Sequence, residues 1–231
     1  MKPLYKLLLL VVISVAISGT AFAGKGPGGW GGRGDANVGL DDVEASHLTF
    51  MREEEKLARD VYMTFSVLYP DEAVFDTIGD RSEQTHTDTL RDKLEQYGLP
   101  DPNPDANNLP EEIGQFYGDE WGWYFNEKFE DFTAKGSNNI LEALYVGAFI
   151  EELDMNDIGV CPVVMVESGY PRPCGLAYTD ERGLINTYRN LIDGSENHLR
   201  AFVTRIERII GEGNYEAQYL TQEEVDRILG R

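Results

Sequence analysis

Glu53, Glu54 and Glu55 interrupt an apolar stripe that otherwise runs through Phe50, Met51, Leu57, Ala58, Val61, Tyr62, Phe65 and Leu68 at helical spacing. Carboxylates on a core-facing stripe are costly unless they are paired or hold a cation, so the fold must bring partners to them. Three further segments repeat the problem. Helix two, expected from about Asp80 to Tyr97, sets Glu83 and His86 on the face of Leu90, Leu94 and Tyr97. Helix three, expected from about Ser137, sets Glu151 and Glu152 among Leu141, Leu144, Tyr145, Ala148, Met155 and Ile158. Helix four, expected from about Thr179 to Ile210, carries His198 beside Leu184, Tyr188, Leu191, Leu199, Phe202 and Ile206. Four such helices predict an all-α, antiparallel four-helix bundle.

The boundaries follow from local chemistry. Asp41 with Glu44, and Thr221 with Glu224, have the spacing of capping boxes, opening helix one and a short last helix. Gly98 and Gly211 end helices two and four. Between helices two and three lie about forty residues, long for a bare loop, which predicts a crossover with a short amphipathic helix near Asp119 to Ala134. His47 reads as an ordinary helix-start residue.

Residues 1–23 read as an export signal: Lys2 and Lys6, an apolar run from Leu7 to Ile17, then Ala21-Phe22-Ala23. The run is shorter than the roughly 20 residues of a spanning helix, so no stable membrane insertion is expected after cleavage. Residues 24–39 are a Gly-rich leader with too little apolar surface to order itself, and 40–231 form one domain. The expected location is periplasmic, cell-surface or extracellular. A formal charge of −21 disfavours nucleic acid and anionic lipid and suits cations. Cys161 and Cys174 bracket a turn-rich stretch and, in an oxidising compartment, are expected to form a disulfide contributing about 3 kcal/mol.

Glu83 and His86 stand three apart and point the same way on a helix, as two ligands of one metal ion do. A two-metal bundle site takes one Glu from each of two helices and Glu-x-x-His from the other two. Helix one offers Glu54, at the centre of its stripe, or Glu55, at the edge. Helix three offers Glu151 or Glu152, which flank the stripe centre evenly. Helix four departs from the pattern, because Ser195 stands three before His198 and Glu196 lies on another face, leaving His198 as its ligand. Hard oxygen ligands with imidazole suit iron or manganese, one or two ions.

The runs Met51 to Tyr62, Ser82 to His86, Val146 to Asp154 and Gly194 to Leu199 resemble the ferritin-like family called domain of unknown function 2202. The resemblance spans roughly Leu40 to Ile210 and implies a ferritin-like bundle without implying a reaction. Glu55-x-x-Ala58-Arg59-x-x-Tyr62 also resembles the first-helix motif of rubrerythrin-type proteins, which implies Glu55 as ligand and stands against the helical-face argument for Glu54.

Two functions suit this pattern. One is an oxidoreductase of dioxygen or peroxide, with Tyr62 and Tyr145 as redox-active neighbours. The other is a non-catalytic module that sequesters metal or binds a partner. A second cation signal lies in the crossover, where Asp101, Asn103, Asp105, Asn107 and Glu112 have calcium-loop spacing. Ala106 stands where such a loop needs Gly, and Pro102 and Pro104 stiffen it, so an ordinary polar turn is the preferred reading.

Overall fold

The structure is a computed structural model that describes residues 39–231. The expected export signal lies outside them, as does the Gly-rich leader except for Gly39. Among the described residues the fold is all-helical.

Helix α1, Asp42–Leu68, opens on the expected capping box: Asp41 accepts from the amides of Val43 and Glu44, and Glu44 accepts from the amide of Asp41. Every side chain from Phe50 to Tyr62 is buried, charged ones included. The helix therefore has no solvent face over this stretch.

The second helical run begins at Ala73 rather than near Asp80. Helix α2, Ala73–Asp76, leads through a π-helical segment, Thr77–Glu83, into α3, Gln84–Tyr97, which stops at Gly98 with φ 70°. Val74, Phe75 and Ile78 are buried, and their burial accounts for the earlier start. Gly79 lies against α1, where a Cβ would stand 3.0 Å from Tyr62 Cβ. The π-helical residues thus seat closely on the helix that carries the carboxylates.

Helix α4, Gly122–Gly136, lies where the sequence predicts a short amphipathic helix. Helix α5, Ile140–Gly159, starts after Asn139, whose side chain accepts from the Glu142 amide. The Cys161–Cys174 disulfide, with Cα atoms 5.0 Å apart, closes a loop containing the short α6, Val163–Glu167. Helix α7, Arg182–Ile210, is followed by α8, Gln222–Leu229, which opens on the Thr221 and Glu224 capping box. Helix α5 packs along α7, while α1 packs on the π-helical segment, α3, α4 and α5. No helix among the described residues is long and apolar enough to cross a membrane.

The segment 99–121 between α3 and α4 supplies partners for the charged residues of α1. Arg52 donates to Asp101 and to the Asn103 carbonyl, and Glu53 accepts from Asn103 and the Gly118 amide. Lys56 donates to Asp60 and the Glu112 carbonyl and lies 4.3 Å from the Phe116 ring centre. Asp60 also accepts two hydrogen bonds from Arg59 and one from the Gly114 amide. Burial of these charges is offset by ion pairs of Arg52 with Asp101 and of Lys56 and Arg59 with Asp60.

Candidate metal centre

Side chains from α1, α3, α5 and α7 gather around Glu83. Its Oε2 lies 3.1 Å from His86 Nδ1, and Glu55 Oε2 of α1 lies 3.1 Å from the same nitrogen. Its Oε1 lies 2.8 Å from His198 Nδ1 of α7, and Glu151 Oε2 of α5 lies 3.3 Å from that nitrogen. Glu55, Glu83 and His86 form one group able to hold an ion, and Glu83, Glu151 and His198 a second; each group's candidate ligand atoms lie within 4.8 Å of one another. Neighbouring ligands about 2.1 Å from one cation stand roughly 3 Å apart, the spacing found here.

Hydrogen bonding inside the protein does not exhaust these atoms. His198 Nδ1 and Glu55 Oε1 are buried and make no aligned hydrogen bond. Outer contacts fix the ligands instead. His198 Nε2 stands 2.7 Å from Ser82 Oγ, which leaves Nδ1 turned inward, and Tyr62 donates to Glu151 Oε1 at 2.6 Å. Such contacts set the tautomer and orientation of ligating groups. The π-helical segment therefore supplies both Ser82 and Glu83.

The electrostatics show how strongly the cluster attracts positive charge. Burial favours neutral imidazoles, yet Glu55 and Glu83 push His86 up to about 12, and Glu151 and Glu83 push His198 up to about 11. Glu83 moves the other way, because the two imidazoles outweigh its burial and hold it well below the usual carboxylate range. Burial raises Glu55 and Glu151, and raises Asp154 well above its ordinary value.

The other expected ligands lie elsewhere. Glu54 faces Asp157 in a buried carboxyl pair, where burial and Asp157 hold Glu54 well above its usual range and burial pushes Asp157 up to about 7. Glu152 accepts from Tyr215 and from the amides of Gln218, Tyr219 and Leu220, so it tethers the segment before α8. Tyr145 stacks on Tyr215, away from the cluster that Tyr62 touches.

The calcium-loop residues are committed to other partners. Asp101 pairs with Arg52, Asn103 bridges Glu53 and the Tyr117 amide, and Asn107 bridges Gln84 and Asp88. Asp105 is exposed and accepts from Asn108, while Glu112 contributes its carbonyl to Lys56.

The profile of the uncharacterized protein domain DUF2202 matches residues 44–231. The chain belongs to the DUF2202 family. It is 35% identical over 190 residues to the uncharacterized protein MJ0754 of Methanocaldococcus jannaschii, covering 82% of this chain and 88% of the relative. The fold is similar to the crystal structure of hypothetical protein MJ0754 from Methanococcus jannaschii DSM 2661, with a TM-score of 0.68 and 34% identity. That likeness covers 83% of this chain and 94% of that one.

His47 in this DUF2202 chain is a core residue rather than an ordinary helix-start residue. It is fully buried, with Nδ1 2.8 Å from the Tyr188 hydroxyl and Nε2 3.0 Å from the Asp157 carbonyl. Burial lowers its pKa to about 4, against a smaller opposing effect of the carbonyl. The unfolded chain takes up this proton near pH 6.5 and the folded chain only near 4, so acid draws the equilibrium toward unfolding within that window. The expected loss is about 3 kcal/mol between pH 7 and 4. Urea midpoints for wild type and His47→Gln at both pH values check this: the variant should lose less stability, and equal losses would contradict the assignment.

Proposed function

We propose that this protein is an exported, ferritin-like bundle that holds two iron or manganese ions and acts as an oxidoreductase of dioxygen or peroxide. In this reading α1, the run α2 to α3, α5 and α7 are the four bundle helices, and the segment containing α4 is the crossover. The observation that carries it is Glu83, whose two oxygens face two separate histidine nitrogens, each accompanied by its own further carboxylate. A carboxylate so placed suits a bridge between two cations.

A bound pair of such ions would supply one-electron chemistry toward dioxygen or peroxide. The protein's part is positional. Glu55 and His86 would serve one ion, Glu151 and His198 the other, and Glu83 both. Ser82 holds His198 by its outer nitrogen and Tyr62 holds Glu151. Glu55, Glu83 and Glu151 are almost completely buried, which strengthens their attraction for a cation. Disulfide closure at Cys161 and Cys174 suits an oxidising compartment.

Metal-to-protein ratios after loading with manganese(II), or anaerobically with iron(II), test the reading, together with oxidation of the iron-loaded protein by peroxide. Two ions and rapid oxidation are expected. Two ions without any reaction would favour sequestration, and no stoichiometric metal would defeat both. Glu55→Gln should lose the ion shared with His86, whereas Glu54→Gln should keep both ions and change stability little, since burial and Asp157 already favour the uncharged form of Glu54 and the amide replaces it at the same size. Equal metal loss in both variants would contradict the choice of Glu55.

A further inference from the structure

The centre as drawn has three carboxylates for two divalent ions. Three negative charges against four positive ones leave a buried net charge, which a low-dielectric interior penalises. Helix α7 does not supply the missing carboxylate, because Ser195 stands one turn before His198. The structure fills that gap from the opposite helix. Asp154 lies one turn after Glu151 on α5 and is only 5% exposed, and its Oδ2 accepts a 2.5 Å hydrogen bond from Ser195 Oγ.

Its other oxygen, Oδ1, is buried and has no hydrogen-bond partner. A carboxylate oxygen in that state is costly unless something cationic is to meet it. The Ser195 that holds Asp154 is itself next to the centre: a Cβ on Gly194 would stand 2.6 Å from His86 Cε1, so the backbone beside Ser195 abuts the ring of a proposed ligand. Ser195 is itself anchored by donation to the Leu191 carbonyl or to Asp154, which holds its oxygen at the junction of α5 and α7.

We propose that Asp154, presented by Ser195, is the fourth carboxylate of the two-metal centre, supplied from α5 in place of the Glu that the bundle template puts on α7. The proposal rests on the two-metal reading and adds one residue to it. Oδ1 is the ligand atom, and the fourth negative charge makes the loaded centre neutral. One consequence is that Ser195→Glu alone does not improve the site, because it sets a second carboxylate against Asp154 in a buried space.

Titration of the metal-free protein with manganese(II), followed by metal analysis after desalting, separates this proposal from the reading beneath it. Asp154→Asn keeps the side chain's size and removes its charge; it is expected to bind one ion normally and the second on the order of 10- to 100-fold more weakly. The swap Asp154→Ser with Ser195→Glu should restore the second ion, and Ser195→Glu alone should not tighten it. Two ions at wild-type affinity in Asp154→Asn would overturn the role of Asp154 while leaving the centre intact. Absence of stoichiometric metal in the wild type would instead overturn the centre itself. Helicity by circular dichroism checks folding. If Asp154→Asn does not fold, the swap decides: recovery of two ions supports the proposal, and one ion or none overturns it.

Discussion

Glu83→Gln is expected to abolish stoichiometric metal binding at both positions, whereas His86→Ala leaves one ion in place. The difference follows from geometry. Glu83 Oε1 faces His198 and Oε2 faces His86, so loss of its charge reaches both half-sites, while His86 belongs to one. Replacing a charged shared ligand by a neutral amide should weaken each ion by on the order of 100-fold or more, judged against the 10- to 100-fold cost of losing an outer support. Titration with manganese(II), read by metal analysis after desalting, measures it. Retention of two ions in Glu83→Gln would remove Glu83 from its bridging position.

Asp60→Asn should give the largest loss of stability without touching the centre. Asp60 is fully buried and is the carboxylate partner of both Lys56 and Arg59, while also accepting from the Gly114 amide. Asn turns an acceptor of cations into a neutral group and leaves two buried positive charges uncompensated. Breaking a buried pair in this way costs about 3–5 kcal/mol. For a domain of this size that corresponds to a fall in Tm of roughly 10 °C. Thermal melts of metal-free wild type and variant provide the comparison. A fall below about 1 kcal/mol would show that the packing of segment 99–121 on α1 does not depend on this cluster, and the metal ratio should be unchanged.

Glu83 and His86 are legible from sequence because a three-residue spacing fixes their shared direction on any helix. The choice between Glu54 and Glu55 is not legible from periodicity. A helical wheel assumes one buried face, but α1 is enclosed on all sides from Phe50 to Tyr62, so its apolar centre does not identify the face turned toward α3. The first-helix resemblance points to Glu55, the residue the fold brings beside His86. The charged side of α1 is hidden from sequence for a related reason. Arg52, Lys56, Arg59 and Asp60 look like a solvated face until the segment 99–121, distant in sequence, folds over them.

The π-helical segment leaves no clear sequence signal, although Ser82 within it fixes His198. Asp154 does have one. It follows Glu151 at the same three-residue spacing that marks Glu83 and His86, and a search for any paired ligand type on that spacing would find it. Ser195 reads as a lost ligand only while helix four is considered alone; its partner stands on α5.

Crystals of the protein loaded with manganese(II), measured for anomalous scattering at the manganese edge, test the proposed centre most directly. Two peaks are expected on either side of the Glu83 carboxylate, roughly 3.5–4 Å apart as in two-metal sites generally. One should lie against Glu55 and His86, the other against Glu151 and His198. A map with no peak at Glu83, or with manganese held at Glu54 and Asp157 instead, would contradict it.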